Sequence, residues 1–352
     1  MITLYKNQHY LPQFYLRHFS KDKVGLIRYT IDDRKPERRN VDTTCALFYF
    51  YADKKDSATF EKMMSGLEDI YSAIVEKLLK IHDVSALTEK DHIYLCNFVL
   101  LTATRTESSK KESEMMANAF FNAMKPGLAR EPEFIKQGLS KESLDEVHLV
   151  KDTANFDGML IAMLGPYLIA DLKIALLINR SKKPFIISDN PVVFYNFLKA
   201  GEMGMRGFQS PGLIILLPIS EEVTVCLYDS MAYSIKTTPR GTINLTKNSE
   251  INQLNRLQIV NAEKYLMFSD EIAEEYVVEL LNSTRLAEKK VPVTGWSEHE
   301  TDDNTYELVK FSKPAPGYYA SLPFIYVQKF YIRAYKNAAI KMGKSEPYVL
   351  VH

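Results

Sequence analysis

The sequence has few cysteines: Cys45, Cys96 and Cys226 are the three in 352 residues, and none forms a CxxC spacing. A disulfide framework is therefore excluded, and the cysteine content is typical of a reducing cytosol. An excess of one charge is also missing, since 44 Lys and Arg balance 44 Asp and Glu. No global charge attracts the chain to nucleic acid or to an anionic membrane. The overall balance does not exclude a local charged patch.

Long apolar runs are missing as well. The most apolar window, residues 159–170, has twelve residues and contains Gly165 and Pro166. Twelve residues are too few to span a bilayer, so the window predicts a buried helix over about residues 155–171. The N-terminus lacks the apolar segment of a signal peptide. We expect a cytoplasmic protein with no membrane partner.

The common catalytic motifs do not occur. The sequence contains no GxSxG, P-loop, GxGxxG or HExxH, and it has no internal repeat. Two short arrangements suggest a metal, namely His82-Asp83 and the pair His92 and Cys96, but each lacks the further ligands that a metal site needs. Any site in this chain must therefore be built from less familiar arrangements.

The composition of the chain and the order of its periodic segments indicate its fold class. Apolar residues make up 46% and charged residues 25%, as in ordinary globular proteins. Helical periodicity dominates the first half, and short β-branched runs begin later. We predict an α+β fold, with an N-terminal helical part packed against a mixed or antiparallel sheet and further helices. The expected seam lies near residue 150, between intimately packed parts 1–150 and 151–352 or within a single domain.

The predicted elements follow from periodicity and turn signals. Helices are expected at residues 12–19, 58–81, 88–124, 155–171, 250–268 and 271–289. Strands are expected at residues 46–52, 173–179, 183–195, 212–220 and 222–229. Residues 32–40 predict a charged loop or hairpin tip, residues 201–208 a mobile loop and residues 295–308 an acidic loop; residues 324–344 fit a strand or a helix. The apolar face of the helix 58–81 is predicted as Phe60, Met63, Leu67, Ile70, Ile74 and Leu78, broadened by Met64, Tyr71 and Val75.

The segment QHYLPQFYLRHF, residues 8–19, places hydrogen-bonding groups among aromatic ones. Pro12 can open a helix, because its missing N–H has no helical partner there. On that helix Gln13 and Arg17 share one face at i,i+4, and the apolar residues take the other. His9 lies just before it. Either these polar groups point into a common space, or they cap and tether a packed helix.

Glu68 and Arg105 interrupt the apolar faces of two predicted helices. A charge on a buried face is costly unless it is paired. We therefore predict that the two residues form an ion pair between the helices. The pair either fixes the packing register or helps to hold a catalytic or phosphate-binding group.

The sequence Ser188-Asp189-Asn190-Pro191 ends an apolar strand. Asp and Asn bond their own backbone in turns, and Pro presets the backbone, so a tight turn is one interpretation. Ligand sites also gather where the strands of α/β sheets end. In that second interpretation Ser188, Asp189 and Asn190 present a carboxylate and two hydrogen-bonding groups to a ligand.

The segment QHYLPQFYLRHFS resembles the N-terminal signature of a bacterial family known as domain of unknown function 4238. The resemblance continues in order through LEDIYSAIVEKLL, FVLLTATRTES, FIISDNPVV, LIILLPIS and NQLNRLQIVNAEKYLMFSD, and it covers most of residues 5–270. Beyond about residue 290 nothing matches. The family has no established activity, so the resemblance implies residues rather than a reaction: His9, Pro12, Gln13, Arg17, Glu68, Arg105, Ser188, Asp189 and Pro191. Its polar members are those already chosen by position, and we expect them to converge on one pocket.

These residues support one main hypothesis, an intracellular phosphodiester hydrolase that acts as a nuclease in a bacterial defence or toxin system. Its catalytic residues would be His9, Asp189 and Glu68. His9 would act as general acid or base near its ordinary pKa. Asp189 and Glu68 would bind Mg²⁺ or Mn²⁺, or orient a water.

The remaining polar residues would bind the substrate, which is RNA or DNA. They are Gln13, Arg17, Arg105, Ser188 and Asn190, and the two guanidinium groups would clamp phosphate. The alternative is a non-catalytic ligand-sensing or protein-interaction module in which the same residues are structural. A metal-independent transferase acting on a nucleotide stays open too, and the sequence leaves the oligomeric state undecided.

Overall fold

A computed structural model of the chain describes residues 7–48, 57–138, 143–144, 146–147, 154–197, 207–208, 210–270, 272, 274–284, 293–301, 304–312, 318 and 320–330. The fold is α+β, as predicted, with N-terminal helices packed against a mixed sheet and further helices. Within the described part, no helix combines the length and the apolar character needed to cross a membrane.

The elements are named in chain order. The strands are β1 (Asn7–His9), β2 (Gly25–Thr30), β3 (Lys35–Asn40), β4 (Ala46–Phe48), β5 (Lys173–Asn179), β6 (Ile187–Ser188), β7 (Val193–Tyr195), β8 (Ile214–Pro218), β9 (Val223–Tyr228), β10 (Tyr233–Ile235), β11 (Thr242–Leu245), β12 (Tyr265–Phe268), β13 (Val293–Thr301), β14 (Asn304–Ser312) and β15 (Ile325–Val327). The α-helices are α1 (Gln13–Arg17), α2 (Ser57–Ile81), α3 (Glu89–Thr104), α4 (Glu107–Leu128), α5 (Pro132–Lys136), α6 (Ala154–Leu164), α7 (Asn248–Asn261) and α8 (Glu274–Asn282). Short 3-10 turns span Val41–Thr43, Val84–Ala86 and Pro166–Leu168.

Two sheets organise the molecule. The larger sheet has the order β11-β5-β9-β8-β7, in which β11 and β5 are parallel and the other pairs are antiparallel. Every residue of β8 and β9 is buried, which explains why these runs show no polar alternation. The second sheet has the order β3-β2-β12-β6 and is antiparallel throughout.

The chain passes from one sheet to the other at the Ser-Asp-Asn-Pro sequence. Strand β6 ends at Ser188 in the four-stranded sheet, and β7 begins at Val193 in the five-stranded sheet. Residues 189–192 therefore form the crossing between the sheets. The predicted strand 183–195 is thus two short strands in different sheets.

One hydrophobic core extends across the predicted seam near residue 150. Tyr71 of α2 and Phe98 of α3 belong to the same buried cluster as Leu176 of β5 and Ile215 of β8. The rings of Tyr71 and Phe98 lie 5.4 Å apart, a separation typical of packed aromatic pairs. The helical part therefore shares a core with one face of the larger sheet, whose other face packs into a second cluster with residues such as Leu254 of α7.

Helix α2 confirms the predicted period but corrects the predicted face. Its buried side chains are Met64, Tyr71, Ile74, Val75 and Leu78. Met63 and Ile70, which the sequence placed on the apolar face, are exposed, and Leu67 is half-buried. Helices α1 and α3 contact α2 on one side, and this contact decides which part of a broad apolar arc is covered. Phe60 lies outside the described side chains.

The predicted continuous helix 88–124 is two helices. Thr88 caps α3 through a capping box with Asp91, as its position predicted. The helix then ends at Thr104, with Arg105 as its C-cap, and the Thr106 side chain accepts the backbone N–H of Ser109 to start α4. A second N-cap therefore breaks the run. Helix α4 also continues through Pro126, past the predicted end.

Three further predictions are wrong in detail. The helix expected over 155–171 ends at Leu164, because Gly165 and Pro166 begin a 3-10 turn. The helix expected over 250–268 ends at Asn261, and the apolar residues after it form β12 between two other strands. Residues 32–40 form the tip and second arm of a hairpin, since β3 pairs with β2.

The acidic loop expected at residues 295–308 is also corrected. It lies within the antiparallel hairpin of β13 and β14, where backbone pairing gives an acidic sequence a strand conformation. The other helices expected at 12–19 and 271–289 are confirmed in shorter form as α1 and α8. All three cysteines are free and buried. Residues 49–52, 201–206 and 331–344 of the predicted segments lie outside the described residues.

Candidate functional site

The N-terminal segment is fixed by one strand and one short helix. Strand β1 pairs with β4, with His9 opposite Ala46. Pro12 has an extended backbone and precedes α1. Tyr15 lies on the buried face of α1 and donates its hydroxyl to the carbonyl of Pro218 at 2.8 Å. This anchor holds the opposite, polar face of α1 toward the surface.

Four polar residues lie side by side at that face, which we call the polar row: His9, Gln13, Arg17 and Asp42. Arg17 Nη2 donates to Gln13 Oε1 at 2.7 Å and lies 3.7 Å from Asp42 Oδ1. His9 Nε2 lies 2.9 Å from the Asp42 carbonyl oxygen, and Gln13 Nε2 lies 3.5 Å from the same ring nitrogen. The expected common polar space of His9, Gln13 and Arg17 is therefore present.

The hydrogen bond of His9 selects its tautomer. A carbonyl oxygen only accepts, so Nε2 carries the proton and donates to Asp42. In the neutral ring the basic lone pair is then on Nδ1. Burial lowers the pKa of His9 below its ordinary value; the hydrogen bond to Asp42 and the Glu68 carboxylate oppose this shift, and Arg105 reinforces it. The imidazole is therefore neutral at pH 7 and can accept a proton.

The predicted ion pair between Glu68 and Arg105 is confirmed and adjoins the polar row. Arg105 Nη1 donates to Glu68 Oε1 at 2.8 Å, while Nη2 donates to the carbonyl oxygen of His9. The side chain of Arg105 is only 4% exposed, and that of Glu68 is 25% exposed. Arg105 therefore fixes the backbone of His9 and the position of Glu68 from inside the protein.

The Ser-Asp-Asn-Pro crossing contacts a different part of the chain. Asp189 accepts the backbone N–H groups of Glu263 and Lys264 at 2.8 Å and of Tyr265 at 3.2 Å. Ser188 donates its hydroxyl to Gln258 Oε1 at 3.0 Å. Both carboxylate oxygens of Asp189 are thus occupied by the turn that leads into β12.

Burial raises the pKa of Asp189 to about 6, and the three backbone N–H groups oppose the shift. Asp189 is nearly fully buried. Its contacts and those of Ser188 are with residues 258–265, whereas the polar row contacts Glu68 and Arg105. The structure therefore brings five of the predicted site residues together and directs Ser188 and Asp189 elsewhere.

Asn190 connects the two regions. Its side chain donates to the carbonyl oxygen of Asn261 at 3.2 Å, and its Oδ1 lies 3.5 Å from the hydroxyl of Thr106. Thr106 directly follows Arg105, at the break between α3 and α4. The next residue, Glu107, accepts a hydrogen bond from the Lys264 ammonium. The α3–α4 junction thus lies between the polar row and the sheet crossing.

Sequence reasoning missed the residues that hold the crossing. Asn255, Gln258 and Asn261 repeat every third position on one face of α7. Asn255 Nδ2 donates to Pro184 O at 2.9 Å, Gln258 Nε2 to Pro191 O at 2.8 Å and Asn261 Nδ2 to Val192 O at 3.0 Å. The sequence does carry a pattern that could have identified them, because three amide side chains stand at i, i+3 and i+6 within one predicted helix. Asp42, also missed, acts mainly through its backbone carbonyl, which no sequence pattern reveals.

The predicted metal donors Asp189 and Glu68 are already engaged. Asp189 accepts three backbone N–H groups, and Glu68 is paired with Arg105. Over the described part of the chain, no three His, Cys, Asp or Glu side chains are placed to share a metal ion. The side chains of this region therefore fit Mg²⁺ or Mn²⁺ poorly, and the predicted metal dependence stays a prediction for experiment.

A groove of about 900 Å³ is lined by residues of α2, α3 and α6 and of the 3-10 turn after α6. Leu67, Tyr94, Met163, Leu164 and Tyr167 are among the residues that line it. Its floor includes Asn97, which accepts the hydroxyl of buried Tyr71. Both Glu68 and Arg105 act on the pKa of Tyr71, which burial raises well above its ordinary value. Tyr71 therefore contacts a residue that lines the groove and lies within electrostatic reach of the ion pair.

Comparison with known proteins supports the family and nothing more specific. The family model described as "Protein of unknown function (DUF4238)" matches residues 7–271. No curated protein and no solved structure matches the chain. The matched range contains the polar row, the ion pair and the sheet crossing, while β13, β14 and β15 lie after it. The chain is therefore a member of the DUF4238 family.

Proposed function

We propose that this protein is a phosphodiester hydrolase that cleaves RNA, with its site at the polar row and the Glu68–Arg105 pair. The single observation that carries the proposal is the position of the His9 imidazole in the polar row. The ring is oriented by a hydrogen bond to the Asp42 carbonyl, and the carboxylates of Glu68 and Asp42 and the Arg105 guanidinium act on its pKa. Arg17 belongs to the same row through its hydrogen bond to Gln13. A fixed base next to cations is what phosphodiester transfer requires.

His9 Nδ1 accepts the proton of a ribose 2′-hydroxyl. The 2′-oxygen then bonds to phosphorus, and the bond from phosphorus to the 5′-oxygen breaks. The 5′-oxygen takes a proton from a water molecule, and the hydroxide left behind takes the proton from His9, which regenerates the base and the water. The products are a 2′,3′-cyclic phosphate and a 5′-hydroxyl end. Arg17, whose side chain is 42% exposed, donates to the phosphate oxygens, since Arg105 is buried and already committed.

This assignment favours RNA over DNA among the predicted substrates. The donor side chains that would hold a metal-activated water are engaged elsewhere, so the nucleophile comes from the substrate itself. RNA supplies a 2′-hydroxyl, and DNA does not. Cleavage should therefore be specific for RNA and independent of divalent cations. In this proposal Asp189 and Ser188 stabilise the fold and do not react. A role in defence or toxicity rests on the sequence resemblance alone.

The test compares RNA and DNA of the same sequence, with Mg²⁺, Mn²⁺ or EDTA. We expect cleavage of RNA in all three conditions and a loss of about 10²–10⁴-fold in His9→Gln. The matched control is His82→Asn, because His82 is half-buried with a positive φ that Asn tolerates. Cleavage that requires a metal, or that survives in His9→Gln, would refute the assignment.

A second candidate function is a non-catalytic ligand-binding or protein-interaction module. It is favoured by the burial of Arg105 and by the hydrogen bonds that occupy Ser188, Asp189 and Asn190. In that case folded wild-type protein leaves RNA intact. Binding of a short RNA without cleavage, weakened by Arg17→Ala, would select this candidate over the hydrolase.

A further inference from the structure

Helix α4 carries an exposed apolar row that neither the polar row nor the family match explains. Met116, Phe120 and Met124 recur at intervals of four residues and lie on one face of the helix. All three are exposed, Phe120 by 55%. They stay exposed although the β13–β14 hairpin contacts the same helix. A row of large apolar side chains in water marks an interaction surface more often than a single one does.

The helix around this row is unusually poor in charge. Residues 115–124 read MMANAFFNAM and contain no Asp, Glu, Lys or Arg. Before them stand Lys110, Lys111, Glu112 and Glu114, and after them Arg130, while Lys125 is buried. Depletion of charge at the centre, with charged residues at the edge, is the composition of the core and rim of a protein interface.

The row has the same chemistry in both directions. Met116 and Met124 are each four residues from Phe120, so reversing the helix about Phe120 exchanges one methionine for the other. A two-fold axis through Phe120 would therefore place Phe120 on its own copy and Met116 on Met124 of the other copy. Self-complementarity of this kind is what a two-fold symmetric interface requires.

We propose that the protein forms a homodimer in which α4 packs antiparallel against α4 of a second copy, about a two-fold axis at Phe120. One helix pair is a small interface, so the dimer should be in reversible exchange with the monomer. The proposal is independent of the proposed RNA cleavage, because no residue of the polar row or of the ion pair lies on this face.

Sedimentation of the full chain over a range of concentrations tests the dimer. We expect a monomer–dimer equilibrium that Phe120→Glu weakens at least ~10-fold, since two carboxylates would meet on the axis. Met231→Glu is the matched control, because Met231 is a comparably exposed apolar residue outside α4 and should leave the equilibrium unchanged. A protein that is monomeric at every concentration, or a dimer unaffected by Phe120→Glu, would overturn the proposal.

The antiparallel arrangement has its own test. Met116→Glu combined with Met124→Lys places opposite charges together twice if the helices are antiparallel, and like charges together if they are parallel. We expect the double variant to dimerise while the single Met116→Glu variant is weakened. Phe120→Cys should also form an inter-chain disulfide on oxidation, because the three native cysteines are buried. Failure of the double variant to dimerise, or no cross-link at position 120, would rule out this geometry.

Discussion

Arg105 joins Glu68 to the backbone of His9: one Nη donates to the Glu68 carboxylate at 2.8 Å, and the other donates to the carbonyl oxygen of His9. The guanidinium is almost fully buried, while Glu68 keeps partial access to water. A buried cation is tolerated only when its hydrogen bonds are satisfied. This one contact therefore ties α2, the end of α3 and the N-terminal segment into one unit, and it sets the geometry of the proposed site.

The first prediction concerns the strength of this pair. In a double-mutant cycle with Glu68→Gln and Arg105→Met, we expect a coupling energy of about 1–3 kcal/mol, because each single change leaves a partly buried charge without its partner. Urea unfolding measures each free energy. The control cycle uses Glu133 and Lys136, an exposed i,i+3 pair expected to couple by less than about 0.5 kcal/mol. Equal coupling in both cycles would show that the buried pair has no special role.

The second prediction concerns the pKa of His9. Burial lowers this pKa below 6.5, so an NMR titration should give a midpoint under 6.5, and RNA cleavage should lose its base below the same pH. The Glu68 carboxylate raises the pKa against burial. Glu68→Gln should therefore shift the midpoint further down. An upward shift in the folded variant would contradict the placement of Glu68 beside the ring.

The same shift predicts the pH dependence of stability. Burial lowers the pKa of both His9 and His18, so the folded state favours the neutral rings. Their contribution to the free energy of unfolding is complete above pH 6.5 and is lost as the pH falls through the lower, folded-state pKa values. In His9→Gln this acid-side loss should be smaller than in wild type, measured by urea unfolding between pH 5 and pH 8. An identical pH profile would show that His9 is not buried as described.

The third prediction separates a structural Asp189 from a catalytic one. Asp189→Asn keeps one acceptor oxygen but turns an amide toward backbone N–H donors, and we expect a loss of about 1–3 kcal/mol in the free energy of unfolding. At a temperature where the variant is folded, RNA cleavage and the His9 titration should match wild type. Loss of cleavage with a native fold would restore Asp189 to the catalytic role that the sequence suggested.

The fourth prediction concerns the amides of α7. Gln258 is buried, accepts the backbone N–H and the hydroxyl of Ser188, and donates to Pro191 O. Gln258→Leu should lower the free energy of unfolding by about 2–4 kcal/mol, because it leaves several buried groups without partners. Gln137→Leu, at an exposed position, should change it by less than about 0.5 kcal/mol. Similar effects of the two changes would show that the amide side chains of α7 do not hold the crossing.

Several features of the site could be predicted from local chemistry. The i,i+4 spacing placed Gln13 and Arg17 on one face, and the structure joins them at 2.7 Å. Because a charge on an apolar face is costly, Glu68 was predicted to pair with Arg105. The structure confirms this pair, whose members are 37 positions apart in the chain. Asp189 shows the limit of such reasoning. A turn carboxylate at a strand end looks the same in sequence whether it meets a ligand or a backbone turn 74 residues later.

The sequence by itself determined the α+β class, the helical period of α2, the cap of α3 at Thr88 and the buried strands of the larger sheet. These features depend on propensity, capping and periodicity, which act over a few residues. Tertiary structure decided the rest. It chose the covered arc of α2, formed β12 directly after α7, sent residues 189–192 from one sheet to the other and engaged Asp189 with the 263–265 turn. These outcomes depend on which distant backbone groups need a partner once the core has closed, and no local pattern contains that information.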